Sequence, residues 1–130
     1  MVEVESLNFS AFNHNYQIKE VLDEKFVAIT LRISQTIVGH ASLRIEDISQ
    51  SKKFILENIH IDPYYQKRGL GSLLLGKIES MAKKNKISQI ELSSISQAEG
   101  FYLTHGYKVQ LGKKTTPDET PFIKNLDGHS

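Results

Sequence analysis

The feature that most constrains the fold is a change of hydrophobic period across residues 62–72, DPYYQKRGLGS. Before it, residues 54–61, FILENIHI, are rich in branched side chains and read as a strand closed by Asp62 and Pro63. After it, apolar residues fall at 70, 73, 74, 78, 81 and 82, the spacing of a helix with one apolar face. Residues 87–93 then return to a short strand. Strand, helix and strand in this order predict a parallel crossover of right-handed sense. A purely helical or purely antiparallel fold is excluded.

The flanking segments extend that unit. Residues 26–33, FVAITLRI, and 37–45, IVGHASLRI, read as a hairpin joined through the polar residues 34–36, with EDISQSKK as a polar break after it. Within the long helix, Glu79 stands one turn before Lys83, the favourable order for an ion pair, and KKNK makes a basic C-terminal end. Residues 97–105 read as a short helix stopped by Gly106. Two last strands, 107–111 and 122–126, enclose a polar, proline-containing loop. Residues 1–15 show no clear period, and YQIKEVLDE at 16–24 can be read as a strand or a helical turn. The fold class is α/β, a mixed (α+β) sheet covered by at least two helices, in one domain spanning 1–130.

Composition removes several classes of function. There is no cysteine, which excludes disulfide scaffolds, cysteine-bound zinc or iron–sulfur sites and thiol catalysis. The five histidines have no metal-ligand partners at sensible spacing, so no metal is expected. Lys plus Arg number 16 against 15 for Asp plus Glu, so no global field attracts nucleic acid. The lysine pairs at 52–53, 83–84 and 113–114 read as solvated faces. No apolar run approaches the roughly 20 residues that span a bilayer, and MVEVESLNFS lacks the pattern of a secretory signal. A cytoplasmic protein without a membrane partner is expected.

The loop itself carries the chemistry. Gly69 and Gly71 leave the backbone uncrowded where the helix begins, and its first amides have no partner inside the helix. No Ser, Thr, Asp or Asn stands immediately before the helix to cap them. Lys67 and Arg68 add two positive charges where the helix dipole is already positive. A bound anion resolves both problems, so the loop reads as a phosphate site. The alternative is a glycine turn with solvated basic side chains. Neither GxxxxGK[ST] nor GxGxxG is present.

With these residues in place the chain resembles the GNAT family of acyl-CoA-dependent N-acetyltransferases. Gln66-Lys67-Arg68-Gly69-Leu70-Gly71 fits that family's Q/R-x-x-G-x-G/A motif, after a hydrophobic-x-Pro-x-Tyr approach in Ile61 to Tyr65. Ala98, Phe101, Tyr102, Gly106 and Tyr107 fit its A-x-x-F-Y-x-x-x-G-F/Y motif. The resemblance implies acetyl-CoA as donor, with backbone amides from Gln66 to Ser72 on the pyrophosphate. It implies pantetheine between splayed strands ending at Ile61 and Ser93, passing Ile59, His60 and Ile61. An unpaired backbone N–H near Ile61 would serve the oxyanion. One departure stands out: family members place two helices between their first two strands, whereas only about 25 residues precede the hairpin here. The N-terminal region is shortened, and the acceptor lid is missing or reduced.

Acetyl transfer to an amine needs a base, an oxyanion donor and a proton for the leaving thiolate. Glu57 is the candidate base. In a regular strand it shares a face with Ile55, Ile59 and Ile61, and such apolar surroundings raise a carboxyl pKa. Resemblance supports it, since many members carry a Glu at the matching point and work through water. The alternative is an exposed Glu paired with a neighbouring Lys or Arg. His60 is the rival base, on the opposite face unless a bulge exchanges the faces. Tyr102 is the candidate acid, one turn after the small Ala98; otherwise it packs under the sheet edge. Phe101 and Tyr107 read as core, His105 as surface. Without cysteine or a Ser–His–Asp pattern, transfer is expected to be direct, from acetyl-CoA to an unidentified amine, with a homodimer left open. The rivals are a non-catalytic acyl-CoA-binding module and an interaction protein with a structural glycine loop.

Overall fold

Alternation of buried and exposed side chains builds the first half of the molecule. Tyr16 and Ile18 are buried while Gln17 and Lys19 are exposed, and Val27, Ile29 and Leu31 repeat the period on the next strand. The computed structural model describes residues 3–11, 14–48, 51–112 and 118–126. Strands β1 (Glu3–Ala11), β2 (His14–Leu22), β3 (Phe26–Ile33), β4 (Thr36–Ile48) and β5 (Ser51–Ile61) form an antiparallel meander. Helix α1 (Leu70–Lys84) then crosses to β6 (Gln89–Ser94), which pairs with β5 in parallel. Helix α2 (Glu99–Thr104), β7 (Lys108–Val109) and β8 (Thr120–Asn125) complete one sheet of order β1-β2-β3-β4-β5-β6-β8-β7. The mixed α+β architecture expected from the crossover is present.

The two sheet faces differ in kind. One carries Val27, Ile29, Leu31, Ala41, Leu43, Phe54, Leu56, Ile90, Leu92 and Phe122, and α1 lays Leu70, Leu74, Leu75, Ile78, Met81 and Ala82 into the same cluster. The other exposes Gln17, Lys19, Arg44, Glu57, Asn58 and His60, and no helix lies over it among the described residues. A sheet with one apolar and one polar face is stable with helices on one side only.

Residues Glu3–Ala11, which show no clear period, form β1, and of the two readings of 16–24 the strand is the one present, as β2, which runs into β3 through residues 23–25, where Asp23 N donates to Phe26 O at 2.9 Å. β1 is the edge strand, and its Val4 and Leu7 are exposed. Two expectations are corrected. The polar break at 46–53 is mostly strand: Glu46 faces Lys53 and Asp47 faces Lys52, so opposite charges pair across the hairpin. Glu79 does not pair with Lys83. It accepts from Lys124 Nζ at 3.0 Å and Tyr107 Oη at 3.1 Å, partners brought by the sheet. β7 is only two residues long, and residues 113–117 of the expected loop lie outside the described residues.

Gly76 has no structural reason inside α1. It is exposed, and a Cβ there would meet nothing within 4 Å. Gly76→Ala should therefore stabilise the fold by up to ~1 kcal/mol, or about 3 °C in melting temperature at this length. A lower melting temperature by scanning calorimetry would contradict this.

Candidate active site

A bulge decides where the candidate base points. Ser42 faces Asn58, but Leu43 faces Leu56, so Glu57 is an extra residue in β5. The inward side chains are Phe54 and Leu56 before the bulge, then Ile59 and Ile61 after it. Glu57 is thus not on the face of Ile59 and Ile61, as regular alternation required. It lies on the polar face, its side chain 51% exposed and 3.7 Å from Arg44 Nη1. Of the three isoleucines expected on its face, only Ile55 is there. The same bulge puts His60 on Glu57's side, exposed and with its ring 5.7 Å from His40. Asn58 Nδ2 approaches His40 Nε2 at 3.0 Å.

Beyond the bulge the sheet opens. Parallel pairing of β5 with β6 runs only from Lys53–Gln89 to Leu56–Leu92, although both strands continue. The gap is a cavity of about 660 Å³, well within the range for cofactor sites. Ile59, His60 and Ile61 line one wall, Ser93, Ser94 and Ile95 the other, and Ala98, Phe101 and Tyr102 close one side. Gly39 permits the end of β5 to lie close: a Cβ there would stand 2.7 Å from Ile61 Cδ1 and 3.2 Å from His60 O. Ser93 was expected at this wall as the end of its strand, whereas Gly39, Ser94 and Ile95 were not singled out from sequence, because their role depends on the strands parting.

The phosphate loop closes the cavity's end. Asp62 Oδ1 accepts from Tyr64 N at 3.0 Å, and Gln66 Nε2 donates to Ile61 O at 2.8 Å, fixing the chain between strand and helix. Lys67 (φ 64°) and Gly69 (φ 85°) are left-handed, the kind of backbone conformation from which anion-binding nests are built. Gly69 caps α1 without any side-chain bond, and no acidic residue stands in the first turn. The first bond inside the helix is Leu73 N to Gly69 O at 3.0 Å. The amides of Leu70, Gly71 and Ser72 precede it and have no helical acceptor. Gln66, Lys67, Gly69, Leu70, Gly71 and Ser72 all line the cavity. Arg68 does not. Its guanidinium stacks over Tyr64 and Tyr65, 5.3 and 5.4 Å from the ring centres.

The second motif forms the opposite rim. Tyr102 is buried, lines the cavity, and packs its ring against Phe122 and Tyr107. Burial pushes its phenol above the ordinary value of 10.0. Tyr107 is core as expected, its phenol raised by burial and by the neighbouring Glu79 carboxylate. Phe101 packs against the core as expected but is only half-buried and also lines the cavity, its ring 3.5 Å from a Cβ placed on Gly71. His105 is more than a surface residue. Its Nδ1 lies 2.7 Å from Phe101 O and its Nε2 2.9 Å from Ser72 Oγ. A carbonyl only accepts, so Nδ1–H donates and, in the neutral ring, Nε2 accepts from the serine. This ties α2 to the first turn of α1 across 33 positions of sequence, a separation that leaves no local signal. No cluster of three or more His, Cys, Asp or Glu suited to a metal occurs among the described residues.

Residues 3–124 match the family model of the acetyltransferase (GNAT) domain. The chain belongs to the GNAT acetyltransferase family. Solved structures agree on the GNAT fold at low identity. A GNAT-family acetyltransferase of Staphylococcus aureus Mu50 is similar at TM-score 0.67 and 23% identity, over 78% of this chain and 68% of that one. One from Elizabethkingia anophelis, solved with acetyl-CoA bound, is similar at 0.64 and 15%, over 78% and 77%. The PaiA N-acetyltransferase of Thermoplasma acidophilum, solved with coenzyme A, is similar at 0.63 and 21%, over 78% and 61%. None of the curated proteins matches this chain. β2 and β3 are joined by the short turn at 23–25, with no helix between them.

Proposed function

We propose that this chain transfers an acetyl group from acetyl-CoA directly to an amine. The single observation that carries the reading is the cavity between parted parallel strands, ending on a helix terminus whose amides lack partners. Two structurally similar proteins hold coenzyme A or acetyl-CoA, which supports the donor. In this reading the amides of 69–72 hold the pyrophosphate, with Lys67 adding charge, and pantetheine follows Ile59, His60 and Ile61. Glu57, at the edge of the gap, takes the ammonium proton directly or through water. The amine nitrogen then bonds to the thioester carbon, with a backbone N–H near Ile61 serving the oxyanion. The C–S bond breaks, and Tyr102 supplies the thiolate with a proton. The cysteine-free composition fits a cytoplasmic setting. A non-catalytic acyl-CoA-binding module is the second reading, favoured by the absence of helices between β2 and β3.

Acetyl-CoA at about 100 times its dissociation constant should stabilise the fold by roughly 2.7 kcal/mol, several degrees of melting temperature. ATP and NAD should not. No shift with acetyl-CoA at millimolar concentration would sink the reading. Gly71→Val should remove most of the shift while the unliganded melting temperature changes little, because the added methyls crowd the amides that hold phosphate. If calorimetry shows normal coenzyme A binding to this variant, the glycine loop is structural.

A further inference from the structure

Ser72 lines the cavity at its phosphate end, and its Oγ lies 2.9 Å from His105 Nε2. We propose that His105 is a positioning residue for the donor that acts through Ser72: the ring takes up a proton as the pyrophosphate of the coenzyme binds, and so turns the serine hydroxyl toward it. This rests on the acetyl-CoA reading above.

The hydrogen inventory carries the argument. Phe101 O, 2.7 Å from Nδ1, keeps a proton on that nitrogen in either charge state, since a carbonyl only accepts. In the neutral ring Nε2 is bare and consumes the single hydroxyl hydrogen of Ser72. The serine then offers a phosphate only lone pairs, which repel it. In the charged ring Nε2–H donates instead. Ser72 Oγ accepts that bond, and its hydrogen is free to donate to a phosphate oxygen beside its own amide. Phosphate and charged ring thus favour each other twice, through the reversed hydroxyl and through opposite charge. The proton comes from solvent, and no covalent bond to carbon or phosphorus changes.

The surroundings leave the choice to the ligand. The partners of the two ring nitrogens are a carbonyl and a hydroxyl, with no carboxylate. From α2, the uncharged Phe101 ring packs with its centre 4.5 Å from that of the imidazole, while Glu99 accepts from Thr120 at 3.3 Å. From β8, Lys124 Nζ donates to His105 O at 2.7 Å, and Glu79 of α1 accepts from the same ammonium at 3.0 Å and from Tyr107 Oη at 3.1 Å. This ion pair meets the backbone of His105 and satisfies itself. From the loop, Lys67 lines the cavity, and a bound phosphate answers its charge together with that of the ring. The bond to Phe101 O also closes the last turn of α2, so the ring that senses the phosphate steadies the helix that carries Tyr102.

The test is calorimetry of coenzyme A binding to the full chain and to His105→Gln, each in two buffers of different ionisation enthalpy, from about pH 6 to about pH 8. Glutamine keeps a polar group near Ser72 and does not titrate. The 3′-phosphate of coenzyme A titrates near pH ~6, as phosphate monoesters do, but equally with both proteins, so their difference reports His105. Near neutral pH the unaltered protein should take up about 0.3–1 proton more than the variant. Its affinity advantage, about 3–10-fold at the acid end, should vanish at the alkaline end. Ser72→Ala keeps the amide and alters an exposed side chain, so it serves should His105→Gln fold poorly. It should lose most of the same uptake, and Ser72→Thr, with its hydroxyl, should retain it. A merely structural tie predicts equal uptake in the unaltered protein and in every variant, and that result would overturn the proposal while coenzyme A still binds. Uptake lost in His105→Gln but kept in Ser72→Ala would overturn it too, since the serine would then transmit nothing. Failure of the unaltered protein to bind coenzyme A would overturn the acetyl-CoA reading with it.

Discussion

Glu57→Gln is expected to lower turnover by ~10²–10⁴-fold with acetyl-CoA affinity almost unchanged. The amide keeps the shape of the side chain and its reach along the bulge, yet cannot take a proton from the attacking ammonium. The bulge makes Glu57 an extra, half-exposed residue at the edge of the cavity, so the substitution disturbs no core contact. Its loss of charge releases Arg44 from one partner at 3.7 Å, while Arg44 keeps Glu46 at 3.0 Å. An exposed pair of that kind contributes about 0–1 kcal/mol, too little to imitate the loss of a base. Unchanged turnover and an unchanged pH–rate profile in Glu57→Gln would move the role to His60, on the same side of the strand, or to water.

Tyr102→Phe separates an enzyme from a binding module. The ring keeps its packing against Phe122 and Tyr107, so stability should change little. If the hydroxyl serves the departing thiolate, turnover should fall ~10–10³-fold while acetyl-CoA still binds. Burial raises the phenol above 10.0, and the active form is the protonated one. Activity assigned to Tyr102 is therefore retained at neutral pH and lost only as pH rises beyond that raised value. A binding module has no turnover to lose and shows only a modest change in coenzyme A affinity. Full activity in Tyr102→Phe by steady-state kinetics would remove the residue from the mechanism.

The parallel unit and its loop are legible from residue order alone. Apolar spacing from Leu70 to Ala82 specifies a helix whatever it packs against. Gly69 before that helix, with no capping side chain, specifies a terminus open to an anion. Both are local properties, set within a few residues, and the two family motifs rest on them. Features that depend on pairing between distant strands emerge only in the folded chain. Glu57's direction follows from one unmatched residue opposite Ser42 and Leu43, which regular alternation cannot foresee. Glu79 meets Lys124 and Tyr107 instead of Lys83 because β8 and the segment before β7 bring them to α1. The 660 Å³ gap exists because β5 and β6 stop pairing at Leu56 and Leu92, where both chains still look like strand. The extent of the uncovered polar face depends on β1, whose residues show no clear period, and on β2, which local pattern leaves open between strand and helical turn. Local propensity reaches only a few residues along the chain, whereas register, bulges and open seams are settled between segments tens of residues apart.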